Sequence, residues 1–381
     1  MAKLQLQQRI RYPPFEPHRF EPAELPIATS KTTLRSGKKK DMMAHIQGLP
    51  PSFTLGNESS WFIEQKYLLN GQPVDDSSVF RSENCLEENK RPRIIKKQRR
   101  GWYLTPNPIH AAVRNFISKS VVILLMALAY LFIEPFLRGF GIIGFGTGTV
   151  RIGLLDYPML AIIVIPLLIV PLLLRVGANL VDLVRQQNFL KSEPMSPVVT
   201  LTEPPTAAQA LKFRIQMNEM REDWKDINIT WRVGALPPAR GKIFDALGLS
   251  EADQPPPGLT TELPHHWEIG LDDGTGGGEK APMESRETKG GLFLRPMRSM
   301  ESGGSSPLTD TIIELEPPQL EWPGTVSSEL IRIHWELIVR IKRSKGGPLL
   351  WVLPIAVRHP QTVSLIQDLP TNDGRAESVQ V

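Results

Sequence analysis

The sequence predicts a membrane α-helical hairpin plus an all-β domain, that is, two transmembrane helices followed by an antiparallel β-sandwich. Two observations support this fold class. Two apolar runs of 17 residues each, 121–137 and 158–174, stand in an otherwise polar chain, with Glu134 as their only charge. Each run reaches the lower length limit for a helix that crosses a hydrocarbon core about 30 Å thick. After the runs, apolar and polar residues alternate, which is typical of half-buried strands.

The alternative for the two apolar runs is a pair of buried core helices in a soluble domain. Core helices normally carry a polar stripe on one face. No charge falls between Lys119 and Glu134, or between Asp156 and Arg175. The sequence therefore favours the membrane interpretation, and it predicts a two-helix hairpin over residues 120–190.

The charge distribution predicts the orientation of this hairpin. Residues 1–119 carry 20 Lys+Arg against 11 Asp+Glu, whereas residues 191–381 carry 20 against 26. Lys and Arg accumulate in short cytoplasmic flanks of membrane spans. Both flanks are more basic than the segment between the spans, so we predict a two-pass protein with cytoplasmic N- and C-termini. Residues 139–156 are then expected at the outer face.

The basic density is highest just before the first span, where two aromatic residues follow seven cations. Such a cluster can bind anionic lipid, at about 1 kcal/mol per basic side chain, and Trp and Tyr favour the headgroup level. We therefore predict a polybasic, interfacial segment over residues 91–119. Its expected lipid-surface residues are Lys90, Arg91, Arg93, Lys96, Lys97, Arg99, Arg100, Trp102 and Tyr103.

The regions outside the hairpin differ in their predicted order. Residues 1–90 are rich in Pro and basic residues and poor in apolar ones, which predicts a largely disordered arm. Within it, residues 60–69 are the exception and predict a short helix or strand. Residues 195–360 are expected to form the β-sandwich, with a mobile Gly-rich loop over 272–306. Residues 361–381 are expected to be a disordered tail.

The clearest strand covers residues 331–341. Its odd-numbered residues are all apolar and predict a core face that includes Trp335, whereas the other face, expected in solvent, carries Arg332, His334, Glu336 and Arg340. A turn containing Gly346-Gly347 then leads into a second predicted strand, 349–357. Several short strands between Pro- and Gly-rich loops are typical of a β-sandwich.

This hairpin, with its Leu353-Pro-Ile-Ala-Val357 sequence, resembles the final hairpin of arrestin-like domains. The chain as a whole is similar to uncharacterised prokaryotic membrane proteins that combine two spans with such a domain. The resemblance covers about 40 residues well. It implies a protein-binding or scaffolding sandwich and supplies no catalytic residues.

The sequence offers little evidence for catalysis or cofactor binding. Cys85 is the only cysteine, and His265-His266 is the one histidine pair. Residues 139–144 match the Gly-x-Gly-x-x-Gly pattern, but a dinucleotide site needs a preceding strand and a later acidic residue. Glu134 is expected to be an interfacial carboxylate beside Arg138. We expect no catalytic residue, no cofactor and no metal site.

These observations predict an integral membrane protein that presents a cytoplasmic β-sandwich for protein–protein interaction or scaffolding, and not an enzyme. The expected partners are the lipid bilayer, through anionic headgroups, and a protein that the sequence does not identify. Neither a nucleic acid nor a small-molecule substrate is expected. Two alternatives remain open: an accessory subunit of a larger membrane complex, and a transporter or membrane enzyme that acts as an oligomer.

Overall fold

The structure, a computed structural model, describes residues 1–14, 17–75, 79, 99–105, 109–142, 148–238, 240–250, 253, 294, 297–328 and 330–372. The chain divides into two compact units. The helical unit is Pro106–Ser192, and the β unit combines Met1–Thr105 with Glu193–Val381. The β unit is therefore assembled from chain on both sides of the helical unit.

The elements follow in chain order. The β unit begins with β1 (Ala2–Arg11), the 3₁₀ turns Pro17–Arg19 and Pro22–Glu24, β2 (Ala28–Gly37), α1 (Lys39–Gln47), β3 (Phe53–Gly56), β4 (Phe62–Leu69), β5 (Gln72–Pro73) and β6 (Gly101–Leu104). The helical unit holds α2 (Ile109–Gly139), β7 (Thr149–Ile152), β8 (Leu155–Pro158) and α3 (Met159–Lys191). The β unit resumes with β9 (Val198–Leu201), β10 (Leu211–Gln216), β11 (Trp224–Leu236), α4 (Arg240–Leu247), β12 (Ser299–Pro307), β13 (Ile313–Leu315), β14 (Val326–Ser327), β15 (Arg332–Arg343), β16 (Leu349–Ile355) and β17 (Ser364–Ile366).

The N-terminal sheet has the strand order β17-β3-β4-β1-β2, with β5 paired to β4. Helix α1 contributes Met42 and Ile46 to a buried cluster that also contains Leu4 and Tyr67. These residues come from three elements that are far apart in the chain. The sheet thus has a core of its own.

This sheet corrects the prediction of a disordered arm over residues 1–90. The described residues from 1 to 75 form five strands and a helix, and the segment 60–69 contains strand β4. The prediction failed because it followed the Pro and basic content of the whole arm, although Ala2, Leu4, Leu6 and Ile10 place the apolar residues on one face of β1. Its order comes from antiparallel pairing with β4, from Leu4 opposite Leu69 to Arg11 opposite Phe62.

The central sheet has the order β12-β11-β15-β16-β6, with β14 paired to β15. Strands β15 and β16 form the predicted hairpin, from Trp335 opposite Ile355 to Ile341 opposite Leu349. The turn contains Gly346-Gly347, whose φ angles are 85° and 77°. Glycine adopts this left-handed region without the steric cost that other residues incur. The predicted strand–turn–strand is confirmed.

One face of β15 is the core face that the alternation predicts. Trp335 packs against Trp231 of β11 in a tilted arrangement, with ring centroids 5.0 Å apart, and its Nε1 donates to the Pro323 carbonyl at 3.0 Å. The predicted core positions are all at most 1% exposed: Ile331, Ile333, Trp335, Leu337, Val339 and Ile341.

The opposite face of β15 is buried too, which corrects the expectation that it faces solvent. His334 and Glu336 are 1% and 0% exposed, while Arg332 and Arg340, near the strand ends, are half-buried. A second apolar cluster forms beside Ile338, which shares this face; its members are Tyr103, Leu294, Ile338, Leu350 and Val352. The central strand is therefore covered on both sides, a situation in which polar positions need partners inside the protein.

Besides β1 to β5, two further strands come from segments predicted to lie outside the β domain. β6, just before α2, pairs with β16, and β17, within the predicted tail 361–381, pairs in parallel with β3. The boundary 195–360 and the disorder of the whole tail are therefore wrong. These strands have only four and three residues, too few for a local pattern, and they exist because a neighbouring strand pairs with them.

A three-stranded sheet, in the order β13-β10-β9, completes the β unit. Trp231 of the central sheet donates from Nε1 to the carbonyl of Glu316, one residue beyond β13, at 2.7 Å. A Cβ at Gly303 would lie 2.3 Å from this Nε1, so the close approach requires glycine. Gly303 belongs to β12, which occupies the end of the predicted mobile loop 272–306; residues 272–293, 295 and 296 lie outside the described residues.

The helical unit contains two helices that are long and apolar enough to cross a membrane. The candidate spans are Asn115–Gly139 in α2 and Val164–Lys191 in α3, with mean hydropathies of 2.3 and 2.2. Only 6% and 12% of their apolar windows are buried within the protein. The predicted helical hairpin is confirmed by length and composition, and α2 and α3 contact each other.

Candidate functional site

The structure separates the nine residues predicted to contact lipid headgroups. Arg100 is exposed, but Arg99, Trp102 and Tyr103 are 5%, 1% and 4% exposed. Assignment of these three to a lipid surface is therefore wrong, because the pairing of β6 with β16 draws them into the β unit. The other five lie outside the described residues: Lys90, Arg91, Arg93, Lys96 and Lys97.

The side chain of Arg99 belongs to a buried charged cluster around Glu336. Arg99 donates from Nε to Oε2 and from Nη2 to Oε1, both at 2.8 Å. Arg232 donates from Nε to Oε1 at 2.6 Å, and Nε2 of His334 lies 3.0 Å from Oε2. We call these four residues the Glu336 cluster; none is more than 5% exposed.

The register of the central sheet assembles this cluster. Arg232 of β11 lies directly opposite Glu336 of β15. His334 is two residues away along the same strand, so it shares the face. Across β16 the residue opposite Glu336 is Pro354. Since β6 pairs with β16 only as far as Val352, proline removes no hydrogen bond to β6 at that point.

At neutral pH one of the two titratable groups of the cluster is charged and the other is neutral. Burial alone would raise the pKa of Glu336, but the charges of Arg99 and Arg232, with hydrogen bonds from Arg99 and His334, hold it well below its usual value. Burial and the same two guanidinium groups lower the pKa of His334, although Glu336 opposes this shift. Glu336 is therefore ionised and His334 neutral, so Nε2 of His334 donates to the carboxylate.

The Glu336 cluster joins parts of the chain and does not present an open reaction site. The side chain of Glu336 has no exposed surface, so a solute cannot reach it in this arrangement. Arg99 precedes the helical unit, whereas Arg232, His334 and Glu336 follow it. Because an uncompensated buried charge is costly, the cluster ties the segment before the helices to the sheet after them.

The charge states lead to a prediction about pH. Unfolded His334 takes up a proton below about pH 6.5, its ordinary pKa, whereas native His334, with a lowered pKa, stays neutral. The unfolded state then binds more protons, so the free energy of unfolding should fall on acidification, by at most about 1.4 kcal/mol per pH unit for one group. Below about pH 4.5, Glu336 adds to the loss in the same direction.

Chemical unfolding of the full chain in detergent, followed from pH 8 to pH 4.5, measures this slope. His334→Gln should flatten it below pH 6.5, since glutamine can still donate to Glu336 and does not titrate. The exposed, non-titrating Thr32 provides the control, and Thr32→Ser should leave the slope unchanged. An identical slope in wild type and His334→Gln would show that His334 is not held neutral by the fold.

The remaining candidate residues form no second site in the described part of the chain. Glu134 pairs with Arg138 through Oε1 and Nε at 3.2 Å, as predicted. Among the described residues, no group of three His, Cys, Asp or Glu side chains is arranged to hold a metal ion. Cys85, His265 and His266 lie outside the described residues.

Comparison with known protein families and with characterised proteins finds no match to this chain. The class of this protein is therefore defined by its own structure. It has two helices long and apolar enough to cross a membrane, and a β unit formed by the chain segments before and after them. The arrestin-like resemblance of the β15–β16 hairpin stays a prediction.

Sequence reasoning missed the Glu336 cluster because it treated one face of β15 as solvent-exposed. One signal was available: β16 reads LLWVLPI, an almost unbroken apolar run. Strands that are buried on both faces have such runs instead of alternation. If β16 is buried on both faces, its neighbour β15 is also covered by a second core layer. Glu336 would then be buried and would need a basic side chain as its partner.

Proposed function

We propose that this chain is an integral membrane protein with two spans, formed by α2 and α3. The exposure of their apolar side chains supports this, since Leu128 is 63% and Phe132 80% exposed in α2, and Leu173 is 63% exposed in α3. Exposed apolar area costs about 25 cal/mol per Å² in water, and continuous apolar surface of this kind marks a membrane or protein contact. Lipid would cover it on both helices.

The β unit is built from both ends of the chain, which supports a location of both ends on the same side of the membrane. This unit contains chain from before and after the helical unit, and strand β6 and the Arg99–Glu336 ion pair hold the two parts together. A folded unit cannot lie on both sides of a bilayer, so the number of spans must be even. The basic residues at 90–100 and the sparse charge between the spans favour the cytoplasmic side.

Thiol labelling tests this topology. In a Cys85→Ser background, Thr32→Cys in β2 and Ser305→Cys in β12 place exposed thiols in the two halves of the β unit. An impermeant thiol reagent should spare both positions in intact cells and label both after permeabilisation. Labelling of only one position in intact cells would show that the halves lie on opposite sides. Labelling of both would reverse the orientation.

We propose further that the β unit is an arrestin-like sandwich that binds or scaffolds a protein partner. The observation that carries this proposal is the double anchoring of the β unit. β6 ends at Leu104 and α2 begins at Ile109, while α3 ends at Lys191 and β9 begins at Val198. The two short connections lead into β6 of the central sheet and β9 of the three-stranded sheet, so the β unit would be tethered to the proposed spans by two chain segments.

Co-purification from native membranes tests the interaction and separates it from the role of an accessory subunit. The full chain is compared with a chain in which residues 106–192 are replaced by an unrelated two-span hairpin. Partners that bind the β unit should be retained by both chains. Partners lost on replacement of the hairpin, with the β unit still folded, would indicate association through the spans and would favour the accessory-subunit role.

A further inference from the structure

The segment that links α2 to α3 ends in an apolar β-hairpin. β7 and β8 pair from Thr149 opposite Pro158 to Ile152 opposite Leu155, and Gly153, with φ of 63°, forms the turn. Leu154 at the tip is 93% exposed. The other exposed apolar side chains of the linking segment are Phe140, Ile142, Val150, Ile152, Leu155 and Tyr157.

The charges of this segment are few and face each other. Between residues 139 and 174, Arg151 and Asp156 are the only charged residues. They are direct partners in the β7–β8 register, a position in which opposite charges attract. The hairpin therefore presents apolar side chains around a locally neutral pair, whereas a linker in water is normally polar.

The lengths of the helices place this hairpin at one boundary of the bilayer. Residues 121–139 of α2 form 19 residues, about 28 Å of helix at 1.5 Å per residue, close to the thickness of the hydrocarbon core. In α3 the charged residues Arg175, Asp182 and Arg185 lie at the end away from the linking segment. In α2, Lys119 marks the far end of the apolar part, and the Glu134–Arg138 ion pair lies in the last two turns before the linking segment. A bilayer centred on the apolar parts would therefore have its boundary at this ion pair, directly before the linking segment.

We propose that residues 140–142 and 148–158 lie within the boundary between headgroups and acyl chains of the far leaflet, so that lipid is the partner of this apolar hairpin. The inference rests on the proposed two-span topology and extends it. Apolar side chains that enter this boundary region are stabilised in proportion to the area they bury. Tyr157, next to the start of α3, is of the type enriched at such boundaries. These described residues of the linking segment would thus form a third membrane contact.

Fluorescence quenching in reconstituted vesicles tests this placement. The full chain, with Cys85→Ser, receives one cysteine labelled with an environment-sensitive dye at Leu154→Cys, at Leu128→Cys in α2, or at Ser305→Cys in the β unit. Vesicles contain phosphatidylcholine and phosphatidylglycerol, with a nitroxide either near the headgroup or deep in the acyl chain. Iodide is the aqueous quencher.

We expect the dye at position 154 to be quenched most by the shallow nitroxide and severalfold less by iodide than the dye at position 305. The dye at position 128 should be quenched most by the deep nitroxide. Strong iodide quenching at 154, with 128 still in lipid, would overturn the inference and leave the two-span topology intact. Protection at 154 from both iodide and nitroxide would indicate a protein contact and would also overturn it. Iodide quenching at 128 would refute the topology itself.

Discussion

Glu336→Gln is expected to lower the free energy of unfolding by about 3–5 kcal/mol, the usual cost of removing one partner from a buried ion pair. The substitution preserves the shape of the side chain and removes its charge. Arg99 and Arg232, 5% and 1% exposed, would then share a neutral amide that cannot balance two guanidinium charges. Chemical unfolding of the full chain in detergent, followed by tryptophan fluorescence, measures the loss.

Two further variants determine whether this loss comes from the cluster. Glu314→Gln removes a carboxylate that is 57% exposed and lies 3.8 Å from Lys212, and surface pairs of this kind contribute at most about 1 kcal/mol. Arg99→Met should cost less than Glu336→Gln, because Glu336 would keep its contact with Arg232. Equal losses for Glu336→Gln and Glu314→Gln would contradict the structural role assigned to the cluster.

Trp335→Ala is expected to destabilise the β unit by about 3–5 kcal/mol, the range for large aromatic truncations in a core. Trp335 is 1% exposed, packs against Trp231 with ring centroids 5.0 Å apart and donates from Nε1 to the Pro323 carbonyl. Alanine would lose the packing, leave a cavity and orphan the carbonyl. The same unfolding experiment measures the change.

Trp335→Phe and Leu320→Ala serve as the matched comparisons for this prediction. Phenylalanine keeps most of the ring contact with Trp231 but loses the hydrogen bond, so its cost should be intermediate. Leu320 is 38% exposed, and surface changes away from special features usually stay within about 0.5 kcal/mol. If Trp335→Ala cost no more than Leu320→Ala, the core position of Trp335 would be wrong. His334→Ala, which appears harmless if one face of β15 is in water, should also be destabilising.

The contrast between residues 1–90 and residues 331–341 shows where local pattern is sufficient. The alternation in 331–341 persists over eleven residues, and a face of six large apolar side chains needs a core whatever the rest of the chain does. The apolar face of β1 is shorter, since Gln8 interrupts the series of Leu4, Leu6 and Ile10, and the strand is completed by pairing with β4. Three large apolar side chains are a weak local signal beside the Pro and basic content of the arm, so the N-terminal sheet was missed.

The basic segment before α2 shows the same limit for a candidate site. Composition groups Arg99, Arg100, Trp102 and Tyr103 with the preceding cations, and the rule for membrane flanks treats all of them alike. The sheet distinguishes them, because the alignment of β6 on β16 buries Trp102 and Tyr103 and brings Arg99 to Glu336. Which charges face solvent depends on the neighbours of a strand.

By itself the sequence determined the two apolar helices, the alternation of β15, and the β15–β16 hairpin with its glycine turn. Each of these depends on contacts within one continuous stretch of chain, where period, length and turn residues are sufficient. Only the tertiary structure decided that β6 pairs with β16 and β17 with β3, across the helical unit in chain order, that β15 is buried on both faces, and that Glu336 balances Arg99 and Arg232. These features depend on pairing between segments separated by up to 311 residues, as for Phe53 and Ser364, and the burial that such pairing creates is a property of the assembled sheets.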